Sequence, residues 1–197
     1  MLSNRTCVIV DAGHGGIDGG ATSCTGILES NLNLEIAVRL NDLLRFLGYN
    51  TKMIRTSNVS IYTEGTTIAA QKVSDLKNRV NIVNETPNSI LVSIHQNYFA
   101  QSKYSGAQVF YSNNGADKQL AQAMQSAFRN TINLGNKREA KHAKGIYLME
   151  NIRSQGILIE CGFISNPQEE ALIRSEAYQK KISAVIATTL SVFLDCS

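Results

Sequence analysis

Tryptophan is absent from the 197 residues, proline occurs twice and cysteine four times. Without tryptophan there is no aromatic platform for stacking sugars, and two prolines cannot make an extended Pro-rich linker. The cysteines are Cys7, Cys24, Cys161 and Cys196, with no CxxC pair and no dense spacing. A disulfide miniprotein is excluded, and the redox compartment stays open. No apolar run approaches the roughly 18 to 20 residues of a membrane-spanning helix, and Met1 to Arg5 has no apolar core of the kind a signal peptide needs. Those five residues are expected to be a tag or a trimmed remnant. Membrane contact would then come only through a signal or anchor missing from this chain. An excess of one charge is lacking too: 19 Lys plus Arg against 16 Asp plus Glu leave +3, and only Lys137, Arg138, Lys141 and Lys144 cluster. A dedicated nucleic-acid binder is excluded.

What is present suits one ordinary domain with a core of its own, expected over residues 6–197: 43% of the chain is hydrophobic, 18% is charged, and no internal repeat is found. Thr6 to Asp11, Tyr49 to Arg55, Ser89 to Ile94, Ala107 to Tyr111 and Gly156 to Glu160 read as short strands, several of them apolar on both faces. Leu32, Ile36, Leu40, Leu43, Leu44 and Leu47 recur at helical spacing, and Gly48 is placed to stop that helix. Further helices are expected over about Val73 to Asn84, Asp117 to Leu134 and Glu176 to Leu194, a long loop over Ser57 to Gln71, and a turn over Asn113 to Gly115. Strands alternating with helices imply an α/β fold: a single domain with a twisted, mostly parallel mixed sheet flanked by helices on both faces.

The residues able to do chemistry gather at one edge of that sheet. His14 follows the first strand, His95 follows the third and Glu160 closes the last, so all three sit at carboxyl ends of expected parallel strands, where ligands bind in open α/β sheets. Glu29 stands where the first long helix begins and can point back to the same edge. Two imidazoles and a carboxylate suit Zn2+ with an open position for water, leaving the other carboxylate to move protons. Taken singly, each has an ordinary reading: a hydrogen-bonded loop histidine, an acid favoured in a first helical turn by about 0.3 to 1 kcal/mol, a salt bridge at a strand end. Glu160 is the hardest to treat so, because a carboxylate ending GILI must be solvated, paired or metal-associated. His142, among lysines, reads as solvated surface. Cys161 is turned by strand alternation to the opposite side from Glu160 and reads as a buried structural thiol. The glycines at 13, 15, 16, 19 and 20 do not form a dinucleotide fingerprint, since Asp18 takes the third required glycine position. HExxH-type spacing is absent.

Four stretches in order resemble the zinc-dependent N-acetylmuramoyl-L-alanine amidases of the amidase-3 type: VIVDAGHGGIDGGA, ILESNLNLEIA, LVSIHQN and ILIECGFISNPQE. The resemblance spans about Thr6 to Leu194 and departs at Ala12, where that family usually has proline, and at Gln96, where alanine is common. It implies zinc on His14, Glu29 and His95, Glu160 as the catalytic carboxylate, and peptidoglycan as substrate, cut between the lactyl group of N-acetylmuramic acid and L-alanine. It also implies action outside the cytoplasm, in the envelope or the forespore intermembrane space. The single compact domain is most similar to the sporulation amidases of the spore cortex, with an activating or targeting protein as an expected partner.

Around that core, Asn97 is expected to bind substrate or orient His95, and Asp11 to hold a ligand imidazole or cap a turn. Arg55 and Arg79 read as surface pairs. The rival from another class is a catalytically silent amidase-like module that binds cell wall or a regulator, and retention of all four site residues speaks against it. A dinucleotide-dependent oxidoreductase comes third.

Overall fold

Alternation along the strands decides which side of the sheet each helix covers. In the computed structural model, which describes residues 6–112 and 115–195, the chain runs β1 (Cys7–Ala12), α1 (Glu29–Phe46), β2 (Asn50–Met53), α2 (Ile68–Asn84), β3 (Ser89–Asn97) and β4 (Gln108–Tyr111). It continues through α3 (Gly115–Thr131), β5 (Lys141–His142), α4 (Tyr147–Asn151), β6 (Gln155–Phe163), α5 (Pro167–Ile173) and α6 (Glu176–Asp195). The expected remnant at residues 1–5, the start of the expected turn at residues 113–114, and Cys196 lie outside the described residues.

Val8, Val10, Ile90, Val92, Ile94, Ile157 and Ile159 point to one face and pack under α1, α3 and α6, against Ile36, Leu40, Leu44, Phe128, Ile182 and Ile186. Ile9, Leu91 and Leu158 point to the other, where Val80 and Val83 of α2 and Leu148 and Met149 of α4 cover them. Both faces are thus dry, as the two-sided apolar runs require. Truncating a fully buried residue such as Leu40 to alanine would cost about 2–5 kcal/mol. The α1 stripe is buried from Leu32 to Leu44, while Leu47 is exposed beyond the helix end. There Gly48, at φ 86°, lets its N–H reach Arg45 O while Tyr49 N–H bonds Leu44 O.

The sheet order is β2-β1-β3-β6-β4-β5. β2, β1, β3 and β6 pair in parallel, β4 runs antiparallel to β6, and β5 pairs parallel to β4. β1 therefore lies between β2 and β3, and the chain leaves it over one face through α1 and returns over the other through α2. The carboxyl ends of β1 and β3 border a switch point, the crevice where α/β sheets take ligands. β3 and β6 run three residues further than their apolar cores suggest, because pairing continues through His95↔Glu160 to Asn97↔Phe163 across a register shift. The long loop ends sooner than expected, since the Thr67 side chain accepts Ala70 N–H and starts α2 at Ile68. The short α4, α5 and β5 were not expected. α5 is opened by Asn166, whose side chain accepts the N–H groups of Gln168 and Glu169, with Pro167 at its first position.

Candidate metal centre

Three separate segments of the chain deliver His14, Glu29 and His95. His95 is carried by β3, where parallel register sets it beside Glu160 of β6. Glu29 opens α1 and is 4% exposed, and it caps nothing in its own helix. Instead its Oε2 accepts Ala21 N–H at 3.0 Å, and its Oε1 accepts Gln96 N–H at 3.1 Å and the Asn33 amide at 3.2 Å. His14 lies two residues beyond β1 at φ 60°, a left-handed conformation rare for a non-glycine residue.

The ligating atoms of His14, Glu29 and His95 all lie within 4.8 Å of one another. His14 Nε2 is 3.3 Å from Glu29 Oε2 and His95 Nδ1 is 3.0 Å from Glu29 Oε1, with the rings edge to face at 76°. Donors about 2.0–2.2 Å from one tetrahedral zinc stand roughly 3.3–3.5 Å apart; the two contacts to Glu29 are near this, and the set, spread over at most 4.8 Å, is compact enough to converge on such an ion. Two nitrogens and a carboxylate are the borderline-soft donor set that zinc favours.

Glu160 completes the group. It lines a cleft of about 410 Å³ together with His14, His95, Asp18, Lys72, Leu76 and Tyr147. Its Oε2 is buried without a hydrogen-bond partner, an arrangement that native interiors rarely leave unexplained. Burial pushes Glu160 up to about 7, and the Glu29 charge adds to this against the opposing pull of His95 and His14. Glu29 goes the other way: burial opposes its charge, but the hydrogen bonds and charges of His14 and His95 hold it well below the usual carboxylate range. Burial likewise disfavours the His14 imidazolium, yet Asp18 and Glu29 outweigh it and carry His14 up to about 10 in the ion-free protein.

The surrounding layer is where the structure adds most. Asp11 does not touch an imidazole: its carboxylate is taken by Ser93 Oγ at 2.6 Å and by the guanidinium of Arg79. The acid that meets His14 is Asp18, with Oδ2 2.8 Å from Nδ1. Arg55 and Arg79 are not surface residues; they are 3% and 2% exposed. Arg79 donates to Asp75 Oδ2, Asp11 Oδ1, Ala12 O and His14 O, which ties the strained His14 backbone to α2. Arg55 donates to the carbonyls of Ala12, Gly13, Ser30 and Ser57. Its surface reading failed because the loop after β2 folds over the β1–α1 connection and offers carbonyls in place of water. Gln96, the departure beside His95, donates to Asn33 Oδ1 at 3.2 Å and so joins the layer behind Glu29. Asn97 is half-buried at the end of β3, its carbonyl accepting Ile164 N–H. Cys161 is buried in the core away from the cleft, and burial raises its thiol well above the usual range.

A two-sided α/β sheet that gathers imidazoles and carboxylates at its switch point, around an open cleft with a poised acid, is hydrolase architecture. Residues 8–191 match the amidase-3 family, described as N-acetylmuramoyl-L-alanine amidase, and the chain belongs to that family. The germination-specific N-acetylmuramoyl-L-alanine amidase of Bacillus subtilis (strain 168) is 38% identical over 181 residues, which cover 91% of this chain and 76% of that protein. The CwlD amidase from Clostridioides difficile, solved in complex with the GerS lipoprotein, is similar at a TM-score of 0.94 and 36% identity, covering 98% of this chain and 100% of that one. An N-acetylmuramoyl-L-alanine amidase from Clostridium difficile 630 gives a TM-score of 0.86 at 30% identity, with 98% of each chain covered.

Proposed function

We propose that this protein is a zinc-dependent amidase that hydrolyses the amide between the lactyl group of N-acetylmuramic acid and L-alanine in peptidoglycan, and that it acts on spore cortex on the way to muramic lactam. The observation that carries the reading is the buried, unpartnered Oε2 of Glu160 beside the His14–Glu29–His95 cluster. Zinc held by those three residues would supply a Lewis acid for the lactyl carbonyl and lower the pKa of a water toward about 7. Glu160, whose buried Oε2 has no other partner, is suited to take the proton of the attacking water and hand it to the departing nitrogen of L-alanine. Asn97, at the end of the same strand as His95, is the candidate substrate contact in this reading. Ile17, Tyr62, Leu76 and Tyr147 are exposed large side chains, of which Leu76 and Tyr147 line the cleft.

The substrate places the activity outside the cytoplasm, and among the described residues no helix is long and apolar enough to cross a membrane. Since the similar Clostridioides difficile amidase was solved with a lipoprotein, a targeting or activating protein fits here also. The test is digestion of purified peptidoglycan and of spore cortex by the zinc-loaded protein, followed by mass analysis. Free peptides beginning at L-alanine, released about 10²- to 10⁴-fold more slowly by Glu160→Gln, support the reading. Binding to the wall without release of peptide would leave a silent binding module in its place.

A further inference from the structure

We propose that Asp18, itself fixed by Lys72, is the positioning residue for His14, so that this ion pair at the cleft mouth sets how tightly the site holds its metal. The inference rests on the zinc reading given above and concerns what orients one ligand within it. Asp18 Oδ2 accepts the His14 Nδ1 proton at 2.8 Å, and Lys72 Nζ, from α2, holds the other oxygen, Oδ1, at 2.7 Å. With Nδ1 thus engaged as a donor, Nε2, which faces Glu29 Oε2, is the nitrogen left to give its lone pair to a metal in place of a proton. A free imidazole could turn about its ring torsion and present carbon to the site; the carboxylate removes that choice.

Local sequence explains how an acid four residues away reaches back. Gly15 and Gly16, at φ 137° and 57°, turn the chain so that Gly15 and Asp18 exchange backbone hydrogen bonds of 2.7 and 3.1 Å. Of the neighbouring carboxylates, Glu160 Oε2 makes no hydrogen bond, and the others are committed elsewhere. Asp11 and Asp75 bind Arg79, and Glu29 stands on the Nε2 side of the ring. Asp18 is therefore the carboxylate that serves His14 Nδ1 among the described residues. The pair is partly solvated, with Lys72 46% and Asp18 23% exposed, and a solvated ion pair adds little to folding stability. Metal affinity and the stability of the ion-free fold should therefore respond differently to its removal.

The measurement is the zinc dissociation constant by competition with a chromophoric chelator, paired with the melting temperature of the ion-free protein and the visible spectrum of the cobalt form. Asp18→Ala is expected to bind zinc about 10- to 100-fold more weakly, to shift the cobalt spectrum, and to melt without metal within roughly 3 °C of the wild type. Asp18→Asn should recover part of the affinity, because its amide oxygen still accepts from Nδ1. Lys72→Met should show a smaller loss than Asp18→Ala, and Lys72→Arg should stay near the wild type. Wild-type affinity in Asp18→Ala, with zinc bound stoichiometrically by the wild type, would overturn the proposal. Should Asp18→Ala not fold, unchanged affinity in both Asp18→Asn and Lys72→Met would overturn it equally. A wild-type protein that binds no zinc and releases no peptide would sink the function proposed above, and this inference with it.

Discussion

Replacing Arg79 by methionine tests the network beneath the site. The side chain is 2% exposed and its guanidinium pairs with Asp11, 1% exposed, and with Asp75. Methionine keeps much of the volume and removes the charge, which leaves Asp11 with Ser93 as its remaining side-chain partner. Breaking a buried ion pair from one side costs about 3–5 kcal/mol. For a chain of this size each kcal/mol moves Tm by about 2–4 °C, so a fall of roughly 6–20 °C is expected at neutral pH. The pH dependence follows from the sign of the Asp11 shift. Burial opposes the Asp11 charge, but Arg79 and Ser93 outweigh it and hold the carboxyl below its ordinary 3.8. The pair therefore stabilises the wild type above about pH 4, and that contribution fades as pH falls below this. In Arg79→Met burial, the largest influence on Asp11, is opposed only by Ser93 and the His95 charge, so the carboxyl is expected to move upward and to be neutralised at higher pH than in the wild type. The gap between variant and wild type should then narrow from pH 7 toward pH 5. Urea unfolding at both values measures it. A loss under about 1 kcal/mol at pH 7, or a gap that does not narrow, would refute the reasoning.

Removing zinc should lower both melting temperature and amidase rate, since an ion that binds only the native state stabilises it by mass action; if chelation changes neither while metal analysis confirms removal, the ligand assignment fails. Glu29→Gln should lose zinc and turnover together, whereas Glu160→Gln should keep zinc and lose about 10²- to 10⁴-fold in rate. Zinc stoichiometry and rate on both variants check this, and the opposite pattern would reverse the roles of the two acids. Gly13→Ala would place a Cβ 2.2 Å from His95 Cε1 and Nε2, so it should displace that ring and weaken zinc retention. A variant with wild-type zinc content would show that the strand end relaxes around the methyl.

The strands and the site edge were readable because their signals are local. Two-sided apolar runs, a helical stripe from Leu32 to Leu44 and polar residues at run ends all lie within a few residues of what they specify. The partners of the site were not. Arg79 and Asp75 lie four apart on the same side of α2 as Val80 and Val83, a pattern that could have marked a buried pair, but charges on helices ordinarily face water. Asp18 entered only as the residue that spoils a dinucleotide fingerprint; an acid four residues beyond a histidine across a glycine-rich loop was the available cue. β5 and α4 are too short for periodicity to register, and β5 exists because Phe110 and Tyr111 of β4 offer an edge to Lys141 and His142. Asn166 before Pro167 is the cap signal for α5.

The three proposed ligands also differ in what holds them, and this decides where the site is vulnerable. His95 is fixed by sheet register, as strong as the pairing of β3 with β6. Glu29 is fixed by a helix start and by hydrogen bonds from Ala21, Asn33 and Gln96, two of which come from backbone N–H groups that a side-chain truncation leaves in place. His14 has neither support. It sits outside β1, in a left-handed conformation, held at its carbonyl by Arg79 and at its ring by Asp18. Both supports depend on α2, which supplies Arg79 directly and Lys72 behind Asp18. A change on the cleft-facing side of α2 therefore acts on His14 before it acts on His95 or Glu29. Read from sequence, α2 is a cover for one face of the sheet; in the structure it is also the wall against which one of the three ligands is held.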